Sequence, residues 1–384
     1  MVAILTVLLA IAAIALAFEW LYRRREPDAL EIEPEGWTCD RANPDRYLLA
    51  GKMVAYNRNP VYEVTLADIE PNLVLLGSGS TESIQSHLKL VNPEFPRSDN
   101  YWSATLVGPK TKLAIAFEIE LAGEAIDRLQ VAWLQLKFVQ YGRQQRIFKT
   151  GHAIVPLSAP QPSSESDWQQ RDGALVLPVR THLLNSQDTL PAVFERYAKP
   201  FAKPTDYLVL AETATAIVEG NYRYPGNIQP GWLAWRLCFF FPSKTSLCSA
   251  YGMQTLIDSS NAWQVAIAFI LGAAAKVLGK SGVFYALAGY QAALIDDVTG
   301  TIPPYDQFLV LGPAHPDRTV AEVKAQTGME TAIVDANDLK EVKILAATDG
   351  IVPARLIRAL RENPAGNADE QTPLLLVRPQ SDNI

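Results

Sequence analysis

The chain has 384 residues, 48% of them hydrophobic, and its 34 Lys plus Arg stand against 41 Asp plus Glu for a net charge of −7. That length allows two or three folded units with enough apolar content for separate cores, and the acidic balance is the wrong sign for gripping a nucleic-acid backbone. Three cysteines without close spacing and four histidines outside any ligand pattern speak against a disulfide framework, a structural zinc and HExxH-type catalysis.

In chain order, residues 2–18 carry no charge, and the apolar stretch continues to Tyr22 before Arg23, Arg24 and Arg25. At ~1.5 Å per residue such a helix covers about the ~30 Å of a bilayer core. Residues 1–25 are therefore expected to form a transmembrane anchor that meets the lipid bilayer through residues 2–22, with Trp20 and Tyr22 at its interface. The arginine triplet on the C-terminal side places the rest of the chain in the cytoplasm, as a single-pass membrane protein. Residues 26–46, acidic and proline-bearing, read as a solvated linker.

From 47 to 157 the pattern has period two. In TKLAIAFEIEL the residues Leu113, Ile115, Phe117, Ile119 and Leu121 fall on one face, and VAWLQLKFVQY alternates in the same way. The connection AGEAID between them is short enough for a hairpin. An antiparallel, sandwich-like β domain is expected. Residues 158–173, rich in Ser, Pro and Gln, read as a second linker. Residues 174–384 mix short apolar strands with helical stretches. There, 263–275 reads as one buried helix too short to span a membrane. In VPARLIRALR, Pro353 starts a helix that turns Leu356, Ile357 and Leu360 inward and Arg355, Arg358 and Arg361 outward. The fold class is α+β: a transmembrane helix, a β-sandwich-like domain, then a mixed α/β domain.

Several polar turns could carry chemistry. In AIVDANDLKEV an apolar run stops on Asp335, Ala336, Asn337 and Asp338, which suits either a plain turn or hard oxygen ligands for a divalent cation. Asp296 and Asp297 follow another apolar stretch, and Asp369 with Glu370 precede the last strand. LGSGSTES lacks both the third glycine of a dinucleotide loop, where Glu82 stands, and the lysine of a P-loop, so it reads as a turn. No GxSxG elbow occurs.

Taken together, these turns resemble the F420-0:gamma-glutamyl ligase family over residues 176–384. The likeness begins at VLPVRTHLLNSQD and continues in TDYLVLAETATAIVEGN, similar to the family's GDxLVVxxxxxSKAEGR. FYALAG is similar to its NAGID region, IVDANDL to ITDTNG, and GNADEQTPLLLVR to GEADEGIPVVVVRG. The resemblance implies a gamma-glutamyl ligase-like domain that adds glutamate to a small acceptor, using ATP or GTP and a divalent metal, Mg or Mn. It makes Asp335 the principal metal ligand, with Asp338, Asp296 and Asp297 as further candidates, and assigns cofactor binding to Glu219, Gly220, Asp369 and Glu370. The chain departs from the pattern at Ile217 and Asn221, where the family carries Lys and Arg, at Tyr290 and Gln291, where it carries a metal-binding Asp, and at Asn367, where it carries Glu. Each departure removes a charge that metal or nucleotide binding would use. The alternative is a non-catalytic relative that keeps the fold as a binding or scaffold protein at the membrane.

Overall fold

The computed structural model describes residues 2–23, 28–91, 97, 99, 101–124, 126–142, 145–158, 160–243, 245–295, 302–336, 340–366 and 370–380. Helix α1 is Val2–Arg23. Ile11, Ile14, Leu16 and Phe18 along it are exposed, and none of its described side chains belongs to a hydrophobic core. Among the described residues no single helix is long and apolar enough to cross a membrane; the described apolar stretch of α1 is Ala10–Glu19.

Eight strands follow: β1 (Leu30–Asn43), β2 (Arg46–Asn57), β3 (Val64–Gly77), β4 (Gln85–Val91), β5 (Thr105–Val107), β6 (Lys112–Ala122), β7 (Leu129–Tyr141) and β8 (Arg146–Pro156). They form two antiparallel four-stranded sheets, ordered β1-β2-β6-β4 and β5-β3-β7-β8. In β6 the alternation is realised as expected, with Ile115, Phe117, Ile119 and Leu121 buried between the sheets and Glu118 in water. Two expectations fail here. Residues 30–43 are not linker but the edge strand β1, in which Leu30 is fully buried while Glu33 and Glu35 face solvent and Glu31 reaches Arg58 at 2.8 Å. Acidic residues on an exposed edge guard against pairing with other chains. Nor do β6 and β7 form a hairpin: they lie in different sheets, and Ile126, buried in the connection, pins the crossing into the core.

The second domain is built on a six-stranded sheet. Its strands β9 (Gln169–Arg171), β10 (Ala174–Val179) and β11 (Tyr207–Ala211) precede a small ribbon of β12 (Tyr222–Arg223) with β13 (Leu309–Val310), and β14 (Glu330–Ala336), β15 (Val342–Ala347) and β16 (Leu374–Pro379) complete it. The order is β15-β14-β11-β16-β10-β9, with β11 and β14 parallel and every other pair antiparallel. Because β9 is an edge strand of this sheet, the expected linker 158–173 already belongs partly to the domain.

Side-chain alternation sends Leu208 and Leu210 to one face and Tyr207 and Val209 to the other. The first face is covered by α2 (Leu190–Val193), the π-helical turn Phe194–Ala198 and α8 (Pro316–Thr327); the second is covered by α9 (Pro353–Leu360). This gives three layers. In α9, Leu356 and Leu360 are buried and Arg358 and Arg361 exposed, as the heptad spacing requires, while Ile357 is half-buried at the margin. Helix α3 (Glu212–Val218) follows β11 directly, and α4 (Trp232–Leu237), α5 (Ala250–Ser259), α6 (Ala262–Val277) and α7 (Val283–Leu287) make a separate helical lobe with its own core. The expectation that 263–275 is a buried helix fails in one respect: α6 is a helix, but only Val265 and Ala268 of it are buried.

The two domains share a core. Val131, Trp133 and Ile154 of the sandwich pack against Leu183, Ile217, Tyr305, Phe308 and Val310. Asn227 closes on Thr150 through two 2.8 Å bonds, and the buried Tyr305 hydroxyl donates to the Leu184 carbonyl at 2.9 Å.

Candidate functional site

Parallel strands leave their carboxyl ends on one side of a sheet, and the crevice there is the usual ligand position in such folds. Here β11 ends at Ala211 and β14 at Ala336, and a pocket of about 530 Å³ lies above both ends. One wall is the loop of Thr181 to Leu184 that follows β10. Another is α3, and a third is the segment around Asn363 to Gly366 with Gln371 and Thr372. That third wall is closed on itself by Asn363 donating to the Gly366 carbonyl at 3.0 Å and Thr372 to that of Ala365 at 2.5 Å. Among the described residues the wall carries two carboxylates, Asp335 and Glu212, and no Lys or Arg.

Asp335 therefore stands where the sequence places it, at a strand end facing a cavity. Burial pushes its carboxyl above the usual range; Lys343, its partner across the β14–β15 ladder, pulls it back, and Glu341 adds to the rise. A divalent cation would stabilise a half-buried carboxylate of this kind by neutralising it. Nearby, the Tyr290 phenol is pushed up to about 12 by burial and by Glu212, Glu219 and Asp317. Glu212, Glu219 and Asp317 thus gather on this side of α3.

The other expected site residues divide. Asp296, Asp297, Asp338 and Asp369 lie outside the described residues, as do Asn337 and Asn367. Glu219 is not on the pocket wall; it accepts from the Ala314 amide and the Thr319 hydroxyl, both at 2.6 Å, and so ties the end of α3 to the start of α8. Gly220, with φ of +71°, closes α3 in the left-handed conformation that glycine adopts without strain. Glu370 is exposed and folds against Gly366, where a Cβ would fall 2.5 Å from its carboxyl carbon. Among the described residues no group of three His, Cys, Asp or Glu side chains converges as a metal shell would.

Three of the departures from the family pattern, Gln291, Asn221 and Ile217, have structural jobs. Gln291 donates to the Gly312 carbonyl at 3.0 Å and accepts from its amide at 2.8 Å, and Asn221 reaches the same carbonyl at 2.6 Å. An amide can make both of those bonds; a carboxylate can make one. Ile217 is buried in the interdomain core and forms part of the pocket wall.

One array escaped the sequence reading. His182 lines the pocket, with Nδ1 at 2.8 Å from the Tyr197 hydroxyl and Nε2 at 3.0 Å from Asp188 Oδ1. It also borders a second cavity of about 680 Å³ between the domains, which Arg41, Arg196 and Gln187 help to line. Both ring nitrogens are engaged, and His182 stands in the wall between the two cavities. Its only sequence signal is the six-residue spacing to Asp188 inside THLLNSQD, which no metal or catalytic pattern contains.

Comparison with known proteins bears on the first domain. No curated protein matches the chain. Among solved structures, the GAE domain of GGA2p from Saccharomyces cerevisiae is 14% identical, covering 34% of this chain and 90% of its own, with a TM-score of 0.21. A protein from Archaeoglobus fulgidus is 7% identical, with coverages of 34% and 99% and a TM-score of 0.21. A FixG-related protein from Vibrio parahaemolyticus is 11% identical, with coverages of 34% and 96% and a TM-score of 0.18. The family model for F420-0:gamma-glutamyl ligase, N-terminal Ig-like domain, matches residues 31–159. That span runs from the start of β1 to just past β8, so the sandwich is similar to the N-terminal Ig-like domain of F420-0:gamma-glutamyl ligase, and the match ends before residues 176–384, over which the resemblance to that family was expected.

Proposed function

We propose that this chain is a ligase-like protein that joins glutamate through an amide bond to a small carboxylate acceptor, with the pocket above β11 and β14 as its substrate site. The observation that carries the reading is the match of the sandwich to the N-terminal domain of F420-0:gamma-glutamyl ligase. That sandwich shares a core with the domain holding the pocket. Asp335 and Glu212 are the described side chains that would hold a Mg or Mn ion there. Such an ion supplies charge neutralisation for an acceptor carboxylate and a phosphoryl donor. Condensing acid and amine formally releases water, which GTP takes up in becoming GDP and phosphate. In this reading residues 2–22 tether the chain to a bilayer and the arginines that follow hold its domains on the cytoplasmic side.

The described wall fits a divalent cation better than it fits a bare triphosphate, because it lacks Lys and Arg. That observation favours a second reading, a non-catalytic relative whose pocket binds a small molecule without turning it over. One experiment separates the two. The full chain, incubated with F420-0, glutamate, GTP and Mn, is expected to add one glutamyl residue to the acceptor by mass spectrometry while releasing phosphate. Neither product appearing would leave the binding protein.

A further inference from the structure

The helical lobe carries an apolar face that none of the described residues covers. On α6, Trp263 is 79% exposed, Ile267 54% and Ile270 65%. Their spacing of four and three residues places them on one stripe. The opposite side, Val265, Ala268 and Gly272, packs inward, Gly272 directly on Phe284. The helix is thus apolar on both sides but covered by protein on only one. The face extends beyond α6. Phe240, 69% exposed, packs its ring at a tilt against Phe269 of α6, centroids 5.0 Å apart, and Trp232 and Phe239 next to it are 72% and 79% exposed. An apolar surface of this extent marks an interaction site.

Its charge setting is just as distinctive. Between residues 232 and 287, from α4 to α7, there are four basic residues, Arg236, Lys244, Lys276 and Lys280, and a single acidic one, Asp258, a net +3 in a chain whose total is −7. Asp258 is itself taken by Arg223 at 2.6 Å. A basic lobe presenting tryptophan, phenylalanine and isoleucine matches an anionic lipid surface. A symmetric contact with a second copy would instead bring like charges together. By length and composition α5 and α6 together match a broken membrane span, but they meet at 115°, and α5 buries Met253 and Leu256 in the lobe's own core, which favours a surface contact.

We propose that this face of α4 and α6 lies in the interface of an anionic bilayer, with Trp232 and Trp263 at headgroup depth and Phe239, Ile267 and Ile270 among the upper acyl chains. The contact is separate from α1 and does not depend on the ligase reading. The test uses the full chain carrying Trp20→Phe, added to vesicles of phosphatidylcholine and phosphatidylserine with or without brominated acyl chains. Tryptophan emission is expected to be quenched in the brominated vesicles, less so when phosphatidylserine is left out. The quenching is expected to be lost in a variant that also carries Trp232→Phe, Trp235→Phe and Trp263→Phe, exposed changes that leave the lobe's core intact. Equal emission in brominated and plain vesicles would overturn the proposal, as would quenching that persists in that variant. Unquenched emission from a chain that elutes as a dimer would give the face to a second copy instead.

Discussion

Lowering the pH from 7 to 5 loads the seam between the two domains at one residue, His152. Its ring lies within 4.4 Å of Tyr224, 5.0 Å of Phe308 and 5.7 Å of Trp133, centroid to centroid. Trp133 donates its indole N–H to Nδ1 at 3.2 Å, which leaves the proton of the neutral imidazole on Nε2, a buried atom with no partner among the described residues. A second proton would put a cation among aromatic rings and break the Trp133 bond. Burial accordingly holds the imidazole down to about 3, against an ordinary value of 6.5. In the unfolded chain His152 takes up a proton below its ordinary value, whereas the folded chain refuses it until about pH 3. Stability therefore falls as pH drops through that window and is level above it. At 1.36 kcal/mol per pH unit, the loss by pH 5 is about 2 kcal/mol. His152→Phe keeps the ring packing and removes the titration, at a pH-independent cost for the orphaned indole N–H. Urea midpoints of parent and variant at pH 7 and pH 5 give the comparison, in which carboxylates elsewhere cancel. The parent is expected to lose about 2 kcal/mol more than His152→Phe between the two pH values. Parallel losses would refute the reasoning.

Three further changes test the sheet and the pocket. Asp206 is fully buried and accepts two bonds from Arg378, at 2.9 and 2.8 Å, so Asp206→Ala strands a guanidinium stacked on Trp168 and should lower stability by ~3–5 kcal/mol in urea titrations. Gln291→Glu restores an acid near where the ligase family carries one, but it loses the donor to Gly312 and adds a buried charge. A loss of about 2 kcal/mol or more is expected from thermal melts. Asp335 has a raised carboxyl, so its folded form binds a proton more readily than its unfolded form and its charge opposes folding at neutral pH. Asp335→Asn should melt slightly above the parent at pH 7, and the difference should close as the pH falls toward the carboxylate range.

How much of this was legible depended on whether each residue's partner lay nearby in sequence. The alternation of β6 and the three-four spacing of α9 are local, and both elements form with the faces that their patterns dictate. Strand β1 was hidden because its alternate positions are glutamates on an edge, which have the composition of a linker. The crossing between β6 and β7 depends on which strands pair, and nothing in AGEAID states that. The apolar run of α6 was clear as a helix; its exposure was not, since an apolar helix reads as buried unless the surroundings are known. At the site, Asp335 was visible as a carboxylate ending an apolar run. The pocket itself was not, because its walls come from segments near residues 182, 212, 335 and 365 that only the sheet brings together. The pairing of His182 with Asp188 and Tyr197, six and fifteen residues on, was missed for a different reason: neither spacing follows a helix face or a ligand pattern.

The most direct measurement is a calorimetric titration of the full chain with Mn, alone and with GTP, beside the same titration of Asp335→Ala. If the crevice above β11 and β14 is a ligase-type centre, the parent takes up the ion and the variant does not, while both melt as folded proteins. No heat from the parent, or the same heat from both, would contradict it.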